Sequence, residues 1–103
     1  MATITIPGKT RKSITVELVG TEYKVRPPKT AVAIFLSQAL KDAGEDSEKL
    51  IDGLAKWCHV LFGKETGADV VKRLKSPDDD LDIPDLTDLI SAVMEEAGEN
   101  PPT

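Results

Sequence analysis

The chain has 103 residues, of which 40% are apolar and 30% charged, with a net charge of −5 and a single cysteine. That length suits one domain and leaves no room for a second independent core. One Cys and one His exclude an intramolecular disulfide and a thiolate zinc site, and no apolar run approaches the about 18 residues of a membrane span. The first residues lack the charged and apolar regions of a signal peptide, so a reducing cytoplasm is the expected compartment.

The charge is unevenly spread. Residues 1–29 carry six bases and two acids, a balance of +4, whereas residues 30–103 carry seven bases and sixteen acids, a balance of −9. A basic arm and an acidic helical body, each solvated, account for this. The alternative is that the two ends attract different partners, or each other in an oligomer.

Residues 1–13 read as a flexible basic arm, with a weak alternating stretch at Ile4 and Ile6 that could add an edge strand over 3–6. Residues 14–27 read as an antiparallel hairpin. Ile14, Val16 and Leu18 alternate with Thr15 and Glu17. Gly20-Thr21 suits a two-residue turn, which would set Val19 opposite Glu22, Leu18 opposite Tyr23, Glu17 opposite Lys24 and Val16 opposite Val25. One face then carries Ile14, Val16, Leu18, Tyr23 and Val25, and the other Thr15, Glu17, Lys24 and Arg26. Pro27-Pro28 ends the second strand because proline cannot donate to a ladder.

A lone hairpin needs a cover, and four short helices are predicted to supply it. The first spans 31–43, capped by Thr30, with a stripe of Val32, Phe35, Leu36, Ala39, Leu40 and Ala43 and a stop at Gly44. The second spans 47–62, capped by Asp46 or Ser47, with Leu50, Ile51, Leu54, Trp57, Cys58 and Leu61 inward. The third spans 67–75, with Val70, Val71 and Leu74 inward. The fourth spans 84–97, with Asp82 and Pro84 at its start, Leu86, Leu89, Ile90, Val93 and Ala97 on one face, and Gly98 after it. The result is an α+β domain over 14–98 and a flexible tail at 99–103.

No catalytic, cofactor-binding or metal-ligating residue is expected. Cys58 and His59 are neighbours on a helix and point about 100° apart, so one cannot activate the other. Asp78, Asp80 and Asp82 mimic the first ligands of a calcium loop, but Ile83 stands where glycine is needed and Leu89 where a bidentate glutamate is needed. Acids before the fourth helix instead suit its positive end. Lys9, Arg11 and Lys12 have no interleaved aromatic, and the acidic body would repel phosphate, which argues against nucleic acid. The glycines sit at turns and helix ends, where their backbone freedom explains them. About a hundred residues cannot bury every apolar stripe, so some face is left to bind other proteins.

Three stretches carry a family resemblance. They are Tyr23-Lys24-Val25-Arg26-Pro27-Pro28, then Val71-Lys72-Arg73-Leu74, then the acidic link Pro77-Asp78-Asp79-Asp80-Leu81-Asp82-Ile83-Pro84-Asp85-Leu86. With an Ala-rich first helix and a Trp-containing second, they make residues 14–98 similar to the tail assembly chaperones of long-tailed phages that infect actinobacteria. The resemblance implies a protein that binds the tape measure protein, keeps it soluble and helps tail-tube subunits polymerise around it. It implies no catalysis and no cofactor, a place in the host cytoplasm rather than the mature virion, and commonly a longer form made by ribosomal frameshifting. Contact with the tail-tube protein and self-association are further expectations. The expected contacts are an apolar groove where the hairpin meets the helices, the exposed parts of the first and fourth helices, and the Lys/Arg edge of the hairpin. The rival readings are a head–tail connector or minor tail subunit, and a small DNA-binding regulator built from the second and third helices.

Overall fold

A computed structural model describes residues 2–7 and 12–96. The expected tail at 99–103, the positions of Ala97 and Gly98, and most of the basic run in the arm lie outside the described residues. The order of elements is β1 (Ile14–Leu18), β2 (Thr21–Val25), α1 (Thr30–Ala43), α2 (Ser47–Phe62), α3 (Lys64–Lys75) and α4 (Ile83–Glu96). This is the α+β hairpin-plus-four-helices arrangement expected from the sequence.

The strands pair antiparallel, but two residues out of the expected register. Ile14 pairs with Val25, Thr15 with Lys24, Val16 with Tyr23, Glu17 with Glu22, and Leu18 with Thr21. The turn is therefore Val19-Gly20, not Gly20-Thr21, and both residues have positive φ, at 45° and 83°. A slip of two preserves the face of every side chain, because strand side chains alternate with a period of two. Leu18 and Val25 are buried and Ile14, Val16 and Tyr23 half-buried, while Thr15, Glu17 and Lys24 stay outside as the alternation requires. The expected Glu17–Lys24 pair is replaced by Glu17 opposite Glu22. A left-handed valine is strained by about 1–3 kcal/mol. The contacts that hold it are side-chain hydrogen bonds from α3.

Helix α2 is the hub, packing against α1, α3, α4 and β2. Asp46 caps it, its carboxylate accepting from the N–H groups of Glu48 at 3.1 Å and Lys49 at 3.2 Å. Its inward residues Leu54, Trp57, Cys58, Leu61 and Phe62 meet Leu18 and Val25 of the hairpin, Ala33 and Leu36 of α1, Val70 of α3, and Leu86, Leu89 and Val93 of α4 in one cluster. Leu81, from the middle of the acidic link, is also buried in that cluster.

Three expectations about the helices are corrected. Thr30 is the first residue of α1 rather than its cap. Lys29 stands at the cap with no side-chain hydrogen bond, and its carbonyl accepts from Ala33 N–H at 3.0 Å. The buried Pro27-Pro28 pair leads the chain into helical geometry one residue early. A lysine at the positive end of a helix is doubly unfavourable. Lys29→Asp is expected to stabilise the fold by about 1 kcal/mol, read as a higher urea midpoint with an unchanged slope.

Helix α3 begins at Lys64, three residues before the expected start at 67, since Gly63 both ends α2 and precedes α3. Gly67 thus lies inside a helix rather than at its end. A Cβ there would stand 2.7 Å from the Cys58 carbonyl oxygen and 3.0 Å from the His59 Cα, so glycine is what lets α3 approach the α2 backbone. Gly67→Ala is expected to cost about 1–3 kcal/mol despite alanine's better helix propensity, measured by denaturant unfolding.

The third correction concerns α1. Phe35, expected on the inward stripe, is 69% exposed, and its place in the core is taken by Ala33. Helix α1 packs against α2 on one side, and one neighbour covers only one stripe of a helix.

Candidate interaction surface

Cys58 and His59, neighbours in the sequence, are not brought together. Cys58 is buried in the core, where desolvation pushes its thiol up from 9.0 to about 11. His59 is exposed, about 100° further round the helix. The thiol is thus protonated at neutral pH and without a base.

The acidic link is organised around a cation rather than open to one. Arg73 of α3 donates from Nε and Nη2 to both oxygens of Asp79, at 2.8 and 3.1 Å. Its Nη1 reaches the Leu18 carbonyl at 3.1 Å and the Tyr23 hydroxyl at 2.9 Å, and its Nη2 also reaches the Val19 carbonyl at 3.0 Å. All five N–H donors of the guanidinium therefore have an acceptor. Two of those acceptors are carbonyls of the hairpin turn, which accounts for the register: Arg73 holds the strained Val19 in place. The hydrogen bond to Asp79 raises the Arg73 pKa further above its ordinary value. Arg73, with help from the Leu81 N–H, holds the Asp79 carboxyl below its ordinary range. Tyr23 also packs edge-on against Phe62, with ring centroids 5.2 Å apart, so the turn is tied to α2 as well as to α3.

Two other acids of the link, Asp82 and Asp85, serve the start of α4. The Asp82 carboxylate accepts from Ile83 N–H at 2.7 Å, and the Asp85 carboxylate reaches back to Asp82 N–H at 2.9 Å. Only the backward half of a capping box is made, because the Asp85 N–H bonds the Asp82 backbone carbonyl rather than its side chain. Among the described residues no group of three or more His, Cys, Asp or Glu side chains is placed to hold a metal ion.

What remains is surface. The inner face of the hairpin is packed shut at Leu18 and Val25, so the expected apolar groove between hairpin and helices is filled by core. The exposed apolar residues lie elsewhere. Ile34 and Phe35, adjacent on the outer side of α1, are 66% and 69% exposed. A shallow depression of about 290 Å³ runs between α1 and α2, lined by Ala39, Ala43 and Gly53 and rimmed by Asp42, Lys49, Asp52 and Lys56. The exposed part of the first helix is among the expected contacts, but periodicity puts Phe35 on the inward stripe; the signal against that is the adjacent Ile34, which no single inward stripe can share with Leu36 and Leu40.

In comparisons with known proteins, no family model, curated protein or solved structure matches this chain. Among the described residues, no helix is long and apolar enough to cross a membrane.

Proposed function

We propose that this chain is a tail assembly chaperone of a long-tailed bacterial virus, which binds the tape measure protein, keeps it soluble and assists tail-tube polymerisation without catalysis. The observation that supports this reading is the Ile34–Phe35 pair. Two large apolar side chains stand side by side on a helix whose inward stripe is already filled. A monomeric domain gains nothing from them, whereas an amphipathic helix of a long target would cover them. Each contact is weak, and many copies along one target add up by multivalency. The acidic residues of 30–103 keep the coated complex soluble, and tube subunits displace the chaperone without fuel. Such a protein acts in the host cytoplasm and leaves before the virion is complete.

Co-expression with a tape measure protein tests this. The soluble fraction of the tape measure protein should rise with the chaperone present and fall back with an Ile34→Asp/Phe35→Asp variant. That variant should keep its thermal midpoint, since exposed substitutions change stability by only about 0.5 kcal/mol. No gain in tape measure solubility overturns the proposal. Detection of the chain at fixed copy number in purified virions would favour a connector or minor tail subunit instead.

A further inference from the structure

The hairpin has an open edge, and the chain carries an irregular stretch of strand-like sequence that pairs with nothing among the described residues. Pairs Leu18–Thr21, Val16–Tyr23 and Ile14–Val25 flank the two-residue turn and alternate with Thr15–Lys24 and Glu17–Glu22. In an antiparallel ladder the pair next to such a turn exchanges its hydrogen bonds, and every second pair does not. The N–H and C=O groups of Thr15 and Glu17 therefore point away from β2, out of the free edge of β1. Both residues are exposed. The other edge is partly closed: the Arg26 N–H, which points outward by the same parity, donates to the Leu61 carbonyl at 3.0 Å.

That stretch is in the N-terminal arm. Thr3, Ile4, Thr5 and Ile6 alternate in the β-favouring pattern and form no ladder, and Ile4 and Ile6 are each 85% exposed. Pro7 ends the stretch. Exposed isoleucines two apart have no role in a solvated arm. Laid along β1, they would face the same way as the half-buried Ile14 and Val16 and extend the apolar side of the sheet, with Thr3 and Thr5 outward beside Thr15 and Glu17.

We propose that two copies of this chain exchange arms, residues 3–6 of each adding as a third strand to the open β1 edge of the other. The single chain leaves both halves open, which is the condition for pairing between copies. One four-residue strand falls well short of the about 1,200 Å² that a stable interface buries. Reciprocal exchange applies the contact twice about a two-fold axis and closes the assembly. The proposal stands apart from tape measure binding, which uses the outer side of α1.

Sedimentation equilibrium of the full chain tests it, together with two variants. Ile4→Asp/Ile6→Asp removes the inserted residues and leaves the core untouched. Thr15→Pro deletes an outward N–H that β2 does not use. The wild type should sediment with the mass of two chains, and the arm variant should raise the dissociation constant about a hundredfold or more, while the two share one thermal midpoint at dilutions where both are single chains. Thr15→Pro should also weaken the dimer. Amide exchange at Thr15 and Glu17 should slow as the dimer forms. A wild type that stays a single chain with rapid exchange there overturns the proposal, as does a dimer indifferent to the arm variant. A single chain with slow exchange at both positions also overturns it, since the arm would then close its own edge.

Discussion

Trp57→Ala is expected to cost about 3–5 kcal/mol, a large share of the about 5–15 kcal/mol that stabilises a domain of this size. Trp57 is 1% exposed on the central helix, beside the fully buried Leu54 and the buried Cys58 and Leu61. With only four aromatic residues in the chain, no other side chain is large enough to refill its space. Circular dichroism against urea is the suitable measurement, because the substitution removes the sole indole. Trp57→Phe separates volume from polarity. The indole Nε1 is buried with no acceptor among the described residues, and an unpaired buried donor costs about 1–3 kcal/mol. Phenylalanine keeps most of the packing and deletes that donor, so its net cost should be well under half that of alanine. Equal losses in the two variants would show that the N–H is paired in solution.

Arg73→Ala is expected to cost about 2–4 kcal/mol, because it removes a donor set that five acceptors share. The loss should fall on the hairpin. With Arg73 gone, the Leu18 and Val19 carbonyls lose their partner and the left-handed Val19 loses its restraint. Amide exchange in β1 and β2 should therefore accelerate more than in α2. Arg73→Lys keeps the charge but offers three donors from one nitrogen, which cannot span Asp79, Tyr23 and two carbonyls. It should recover a minor part of the loss.

The same site has an acid signature. Arg73 and the Leu81 N–H lower the Asp79 pKa from its ordinary 3.8. A carboxyl with a lowered folded pKa contributes stability that is present above the unfolded value and is lost as pH falls through the folded one. Wild-type stability should decline below about pH 4 with a component that disappears in Asp79→Asn and in Arg73→Ala. An unchanged acid slope in both variants would mean that the pair does not persist in solution.

Much of the architecture was legible from local chemistry. The alternation of Ile14, Val16 and Leu18 located the hairpin and its inner face. Asp46 and the spacing from Leu50 to Leu61 located α2, and helical geometry alone put Cys58 inside and His59 outside. These properties depend on neighbours within a few positions, so a linear reading reaches them. The tertiary structure alone decided the rest. A two-residue slip leaves a period-two pattern unchanged, so the hairpin register is set by contacts from outside it, among them Arg73, more than fifty positions away on α3, and Phe62 of α2 against Tyr23. Which side of α1 is covered depends on how many helices lie against it, and with α2 there, Ile34 and Phe35 were left in water. Gly67 became indispensable only when α3 came to rest on the α2 backbone, and Leu81 became core only when Asp79 turned the acidic link inward. Each of these outcomes is set by contacts between segments distant in the chain, and such contacts leave no periodic trace in the residues that make them.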